Sequence, residues 1–177
     1  MNSCTGLYYA CTRAGKYGGS IINIDNSCHG DIACRYVGAG YGSIGSITGS
    51  CIGVFACHGM ATEYGKVGNL LNSCKGIDTC QIGSNFGSIG SITGSCNDDD
   101  ACYDLGASGG TVGNMINACT VKEACNDGAY AGGTIASITN SCTEDGSCFG
   151  LGRGKGNVGH VKDSCTDPYS CLDTGFN

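Results

Sequence analysis

The chain has 177 residues, including 33 Gly, 16 Cys, one Pro and no Trp, with 9 Lys and Arg against 15 Asp and Glu for a net charge of −6. Leu, Ile, Val and Phe together number 31, too few for a conventional apolar core, yet the low charge, single proline and dense cysteine also exclude the usual disordered chain. An acidic balance without a basic run excludes nucleic acid and anionic membrane as electrostatic partners, and no apolar stretch is long enough to cross a bilayer.

The chain opens MNSCTGLYYACTRAG, without the apolar centre of a secretory leader. Sixteen cysteines nevertheless call for an oxidising compartment, extracellular or cell-surface. The expectation is therefore a leader already removed, or a chain that is part of a longer precursor.

From Cys4 onward the cysteines come in pairs, C-x6-C once and then C-x5-C: Cys4 and Cys11, Cys28 and Cys34, Cys51 and Cys57, Cys74 and Cys80, Cys96 and Cys102, Cys119 and Cys125, Cys142 and Cys148, Cys165 and Cys171. The pairs recur every 22 to 24 residues, mostly 23, which divides the single domain 1–177 into coils 4–27, 28–50, 51–73, 74–95, 96–118, 119–141, 142–164 and a partial 165–177. The first coil carries one extra residue, and the fourth lacks one near Gln81–Phe86.

Other columns keep this register, counting each coil's first cysteine as position 1. Position 15 is always Gly (Gly19, Gly42, Gly65, Gly87, Gly110, Gly133, Gly156). Position 17 is Ile21, Ile44, Val67, Ile89, Val112, Ile135, Val158, and position 20 is Ile24, Ile47, Leu70, Ile92, Met115, Ile138, Val161. These fourteen residues are the expected inward-facing ladder. Position 22 is confined to Asn, Gly and Asp, residues that tolerate left-handed backbone at a turn. Residues 42–51 and 87–96 are the same decapeptide, GSIGSITGSC.

No coil contains a glycine-free stretch long enough, with 3.6-residue periodicity, to be a helix. Glycine-punctuated, β-branched units of this size predict an all-β fold, a single parallel β-helix of about eight 23-residue coils with one disulfide per coil. Each coil is expected to hold a few strands of three to five residues, with like residues stacked at about 4.8 Å and an aromatic stack of Tyr41, Tyr64 and Phe86 at position 14. Through its C-x5-C and G-x-[IV]-x-x-[ILVM] patterns the chain resembles disulfide-stapled β-solenoids as an architectural class, over essentially its whole length.

The motifs supply no catalytic, cofactor or metal residue. Zinc ligation calls for C-x2-4-C spacing with paired histidines, whereas the pairs are x5 or x6 and His29, His58 and His160 fall in different columns. The acids of Asn97–Asp100 and Asp104 lack a spaced calcium-ligand loop and read as a solvated turn. No cofactor is expected, and the chain reads as a non-enzyme, with polysaccharide binding or cleavage kept as an alternative by analogy of fold. Ice binding is the other alternative, on the columns Ser20, Ser43, Ser88, Thr111, Thr134 and Thr48, Thr93, Thr139. Lys66, Asn157, Asp25, Leu71, Ile116 and Lys162 interrupt those columns.

Repeat sequence at both termini predicts an extracellular structural rod, a fibre, surface appendage or adhesin stalk, whose partner is itself in a head-to-tail homopolymer. Glycans are a further class of partner, although the N-S-C sites at Asn26, Asn72 and Asn140 are poor acceptors.

Overall fold

The structure, a computed structural model, describes residues 4–6, 16–38, 40–61, 63–81 and 86–175. The described residues form ten strands, most of them carrying a β-branched residue: β1 (Ser20–Asp25), β2 (Ser43–Thr48), β3 (Lys66–Val67), β4 (Leu70–Leu71), β5 (Ser88–Ile89), β6 (Ile92–Thr93), β7 (Thr111–Val112), β8 (Met115–Ile116), β9 (Thr134–Thr139) and β10 (Asn157–Lys162). All pair in parallel within one sheet. The register places Ile21, Ile44, Val67, Ile89, Val112, Ile135 and Val158 in one line, and Ile24, Ile47, Leu70, Ile92, Met115, Ile138 and Val161 in another. The fold is a parallel β-solenoid. Seven strand tiers, six complete turns from first to last, stand in the described residues, against the eight coils counted from the cysteines.

The expectation of several strands per coil is corrected. Among the described residues strand pairing is confined to positions 16–21 and to bridges at position 2 (Thr5, His29, Ile52, Lys75). The segment from the first cysteine to position 13 is instead a ribbon of overlapping turns. Within it, N–H groups bond carbonyls three residues back, as in Ser147 to Glu144, Phe149 to Gly146 and Leu151 to Cys148. Tiers are joined by bonds such as Gly150 N–H to Asn126 C=O and Asp173 N–H to Phe149 C=O. Position 22 has φ between 45° and 59° from Asn26 to Asp163, as its composition implies. Position 1 is left-handed too, with Cys28, Cys51, Cys74, Cys96, Cys119, Cys142 and Cys165 at φ 53–62°, which residue type did not foretell.

The core is thin. Strand residues from positions 17 and 20 meet the turn ribbon directly, where Val37, Met60, Leu105 and Leu151 are also buried. A Cβ built on Gly106 would lie 3.0 Å from Ile89 Cγ1, so there is no space for a further layer between the two walls. This thinness accounts for the glycine at position 15. A Cβ on Gly42 would overlap the carbonyl oxygen of Ala61, and one on Gly110 that of Ala129. Ile44, Ile47, Val67, Leu70, Ile89, Ile92, Val112, Met115, Ile135, Ile138 and Val161 are buried, while Ile21, Ile24 and Val158 are half-buried near the ends of the ladder.

Candidate functional surfaces

Disulfides join Cys28 to Cys34, Cys51 to Cys57, Cys74 to Cys80, Cys96 to Cys102, Cys119 to Cys125, Cys142 to Cys148 and Cys165 to Cys171, each with Cα atoms 5.4–5.6 Å apart. Cys11, the expected mate of Cys4, lies outside the described residues. The sulfurs of Cys119, Cys125 and Cys142 lie within 4.8 Å of one another, as do those of Cys142, Cys148 and Cys165, so the bridges form a stacked spine. Oxidised sulfur has no thiolate to offer a metal. Among the described residues no cysteine is free, the pattern of an oxidising extracellular or surface environment.

Beside the spine runs a buried serine ladder. Ser27, Ser50, Ser73, Ser95 and Ser141 each donate a hydroxyl to the carbonyl two residues back and accept the backbone N–H of the next tier, at 3.0–3.2 Å. Here the serine before the first cysteine of a coil, replaced once by Ala118, acquires its reason. A hydroxyl can bridge tiers where the strand register has ended.

The outward strand face carries an order that the sequence contains but residue counting overlooked. Position 19 alternates Asn23, Ser46, Asn69, Ser91, Asn114, Ser137, with His160 last. Asn69 and Asn114 accept the backbone N–H of Ser46 and Ser91 at 2.8 Å through Oδ1, and Ser91 Oγ accepts the N–H of Asn69 at 3.1 Å. A two-tier superperiod results. The identical decapeptides 42–51 and 87–96, two tiers apart, were its signal. Position 21 follows it with Thr48, Leu71, Thr93, Ile116 and Thr139, in which Leu71 and Ile116 are exposed. The threonines therefore recur only every second tier.

Several acidic groups stack along the turn ribbon. Asp78, Asp100 and Glu123 share position 5, and Asp104 and Asp127 share position 9. Burial, then the neighbouring Asp99, raises the pKa of Asp78; burial, then Asp78 and Glu123, raises that of Asp100; burial, then Asp127, raises that of Asp104. Asp98 and Asp99 spend a carboxylate oxygen each on backbone N–H groups, of Asp99 and Ile77, at 2.8 and 2.7 Å. His29 bonds Thr5, and His58 packs edge-on against Tyr36 and Phe55, its pKa lowered by burial and by Arg35. His160 Nδ1 lies 2.7 Å from Ser137 Oγ, a serine–histidine contact 23 residues apart that sequence proximity could not show. It sits on the open strand face. A small cleft of about 110 Å³ is lined by Lys122, Glu123, Asp145 and Tyr169, with Lys122 Nζ 3.6 Å from Glu123.

One further surface is built from rings. Tyr41 stacks on Tyr64 and Tyr64 on Phe86, with centroids 5.3 and 5.4 Å apart and planes within 13° and 22°. All three are more than half exposed. Among the described residues β1 and β10 are the first and last strands of the sheet, paired with β2 and β9. Comparison with known proteins finds no match to a family model, to a curated protein or to a solved structure.

Proposed function

We propose that this protein is an extracellular structural rod, without enzymatic activity, that lengthens by head-to-tail stacking of its own chains. The observation that carries the reading is the equivalence of successive tiers: each meets the next with the same ladder and the same local disulfide. The following tier donates to the position 4 carbonyls of Asp31, Val54, Ile77, Asp99, Lys122 and Asp145 and to the position 8 carbonyls of Arg35, Gln81, Tyr103, Asn126 and Phe149, and in the last described coil those positions are Pro168 and Leu172. Proline there forfeits little, because the ladder draws on the carbonyl of position 4. A second copy offering repeat sequence completes the ladder and covers the half-buried Ile21 and Val158. Such contacts do not close on themselves, so repetition gives filaments. A structural role also agrees with hydroxyl columns broken by Leu71 and Ile116.

Sedimentation velocity and negative-stain electron microscopy of the oxidised protein across a concentration series test this. Filaments of rods stacked end to end are expected, shortened by Ile21→Lys. A particle that remains monomeric at millimolar concentration overturns the proposal.

A further inference from the structure

The ring stack occupies one column at position 14: Gly18, Tyr41, Tyr64, Phe86, Gly109, Gly132, Lys155. Tyr41 leans back over Gly18, where a Cβ would lie 3.2 Å from its ring. Beyond Phe86 the column is vacant. A Cβ on Gly109 or Gly132 would meet nothing within 4 Å, and both residues are exposed. Their φ values of +88° and +91° belong to backbone that side chains rarely adopt, so the vacancy is set by the chain path. The same edge of the rod thus carries a three-tier aromatic ridge, then a two-tier glycine notch, then a cation.

These features are self-complementary under a two-fold axis passing between the tiers of Phe86 and Gly109. We propose that two rods pair side by side and antiparallel along this edge, the occupant of each notch being the ridge of a second copy. Phe86 then lies over the second copy's Gly109, and Tyr64 over its Gly132. Tyr41 meets its Lys155, whose ammonium also comes within reach of Glu63, one tier along. Lys155 and Glu63 are exposed and form no ion pair among the described residues. Two such ion pairs and two cation–π contacts arise by symmetry. The ridge height on one rod sets the separation that its bare glycines allow on the other, so the surfaces meet along six tiers, about 24 Å.

Full burial of an aromatic side chain removes about 150–250 Å² from water, and these rings are 64%, 56% and 65% exposed. Six rings together therefore supply roughly 600–900 Å², and with the opposing turns the interface falls near the low end for specific contacts, ~1,200 Å². A reversible dimer is the corresponding state. Lateral pairing is independent of stacking at the rod ends and saturates at two, so the two behaviours are separable.

Sedimentation equilibrium combined with small-angle X-ray scattering reads the difference. In the Ile21→Lys protein, whose stacking at the rod ends is blocked, the expected dimer doubles the mass and the cross-section while the maximum dimension stays nearly constant. Tyr64→Ser with Phe86→Ser removes the ridge at exposed positions and should raise the dimer Kd at least tenfold. Ser108→Trp with Ala131→Trp fills the notch at exposed residues that already hold left-handed backbone (φ 54° and 58°), and should do the same. Mixing the ridge-less and notch-filled variants should restore dimers, because one protein's ridge then meets the other's open notch, a recovery that misfolded protein would not give. A dimer unaffected by either pair of substitutions, no recovery on mixing, or a monomer at millimolar concentration overturns the proposal.

Discussion

Ile89→Asp tests the thin core most directly. Ile89 is 2% exposed, pairs in register with Val67 and Val112, and its Cγ1 reaches the backbone of Gly106 across the interior. Truncation alone, as in Ile89→Ala, should cost about 2–5 kcal/mol, since the flanking tiers are held by their own ladders and cannot collapse into the space. Aspartate adds a carboxylate with no polar partner between two valines. It either stays charged in low dielectric or takes up a proton, and each pKa unit of upward shift costs about 1.4 kcal/mol at neutral pH. A total above ~5 kcal/mol is expected. Because the folded pKa of this new acid lies above its unfolded value, the penalty is smallest in acid and grows as pH rises from about 3.9 through the shifted pKa. Urea unfolding of the oxidised protein followed by far-ultraviolet circular dichroism at pH 4 and pH 7 measures both quantities. Native-state hydrogen exchange shows whether the loss is confined to neighbouring tiers, as expected for a one-dimensional repeat. An Ile89→Asp variant within about 1 kcal/mol of the parent, with no pH dependence, would refute the inward placement of this column.

Gly110→Ala should prevent folding or cost more than about 4 kcal/mol, because its Cβ would overlap the Ala129 carbonyl, whereas Gly132→Ala meets open space and should cost only the ~1–2 kcal/mol of left-handed backbone. Thermal melts of the two variants compare them. Removing one bridge as Cys96→Ser with Cys102→Ser should lower stability by about 2 kcal/mol, read from the urea midpoint, since each bridge closes only a seven-residue loop. Asp104 has its folded pKa raised by burial and by Asp127, so its charge opposes folding and stability is lost as pH rises from about 3.8 through the raised value. Asp104→Asn should therefore raise Tm at pH 7 and leave it nearly unchanged near pH 3, by calorimetry; an unchanged Tm at pH 7 would contradict this sign.

The period, the two aliphatic columns and the left-handed turn at position 22 were legible in the sequence, because each depends on residue type at one place in the coil. So was the stack of Tyr41, Tyr64 and Phe86, which follows from register alone. The reason for glycine at position 15 was not. Gly42 meets the carbonyl of Ala61, nineteen residues on, only because Ile44 and Ile47 reach a turn ribbon with no intervening layer. The left-handed cysteines were equally hidden, since their φ comes from how the disulfide corner joins strand to ribbon and not from any preference of cysteine. The Asn and Ser alternation at position 19 was visible as letters, but its meaning lies in bonds from Asn69 and Asn114 to the tier before. Ser137 and His160 likewise meet only when the tiers stack. A repeat records what each position must be within its own coil; which atoms face one another is decided between coils, by lateral register and by the depth of the core.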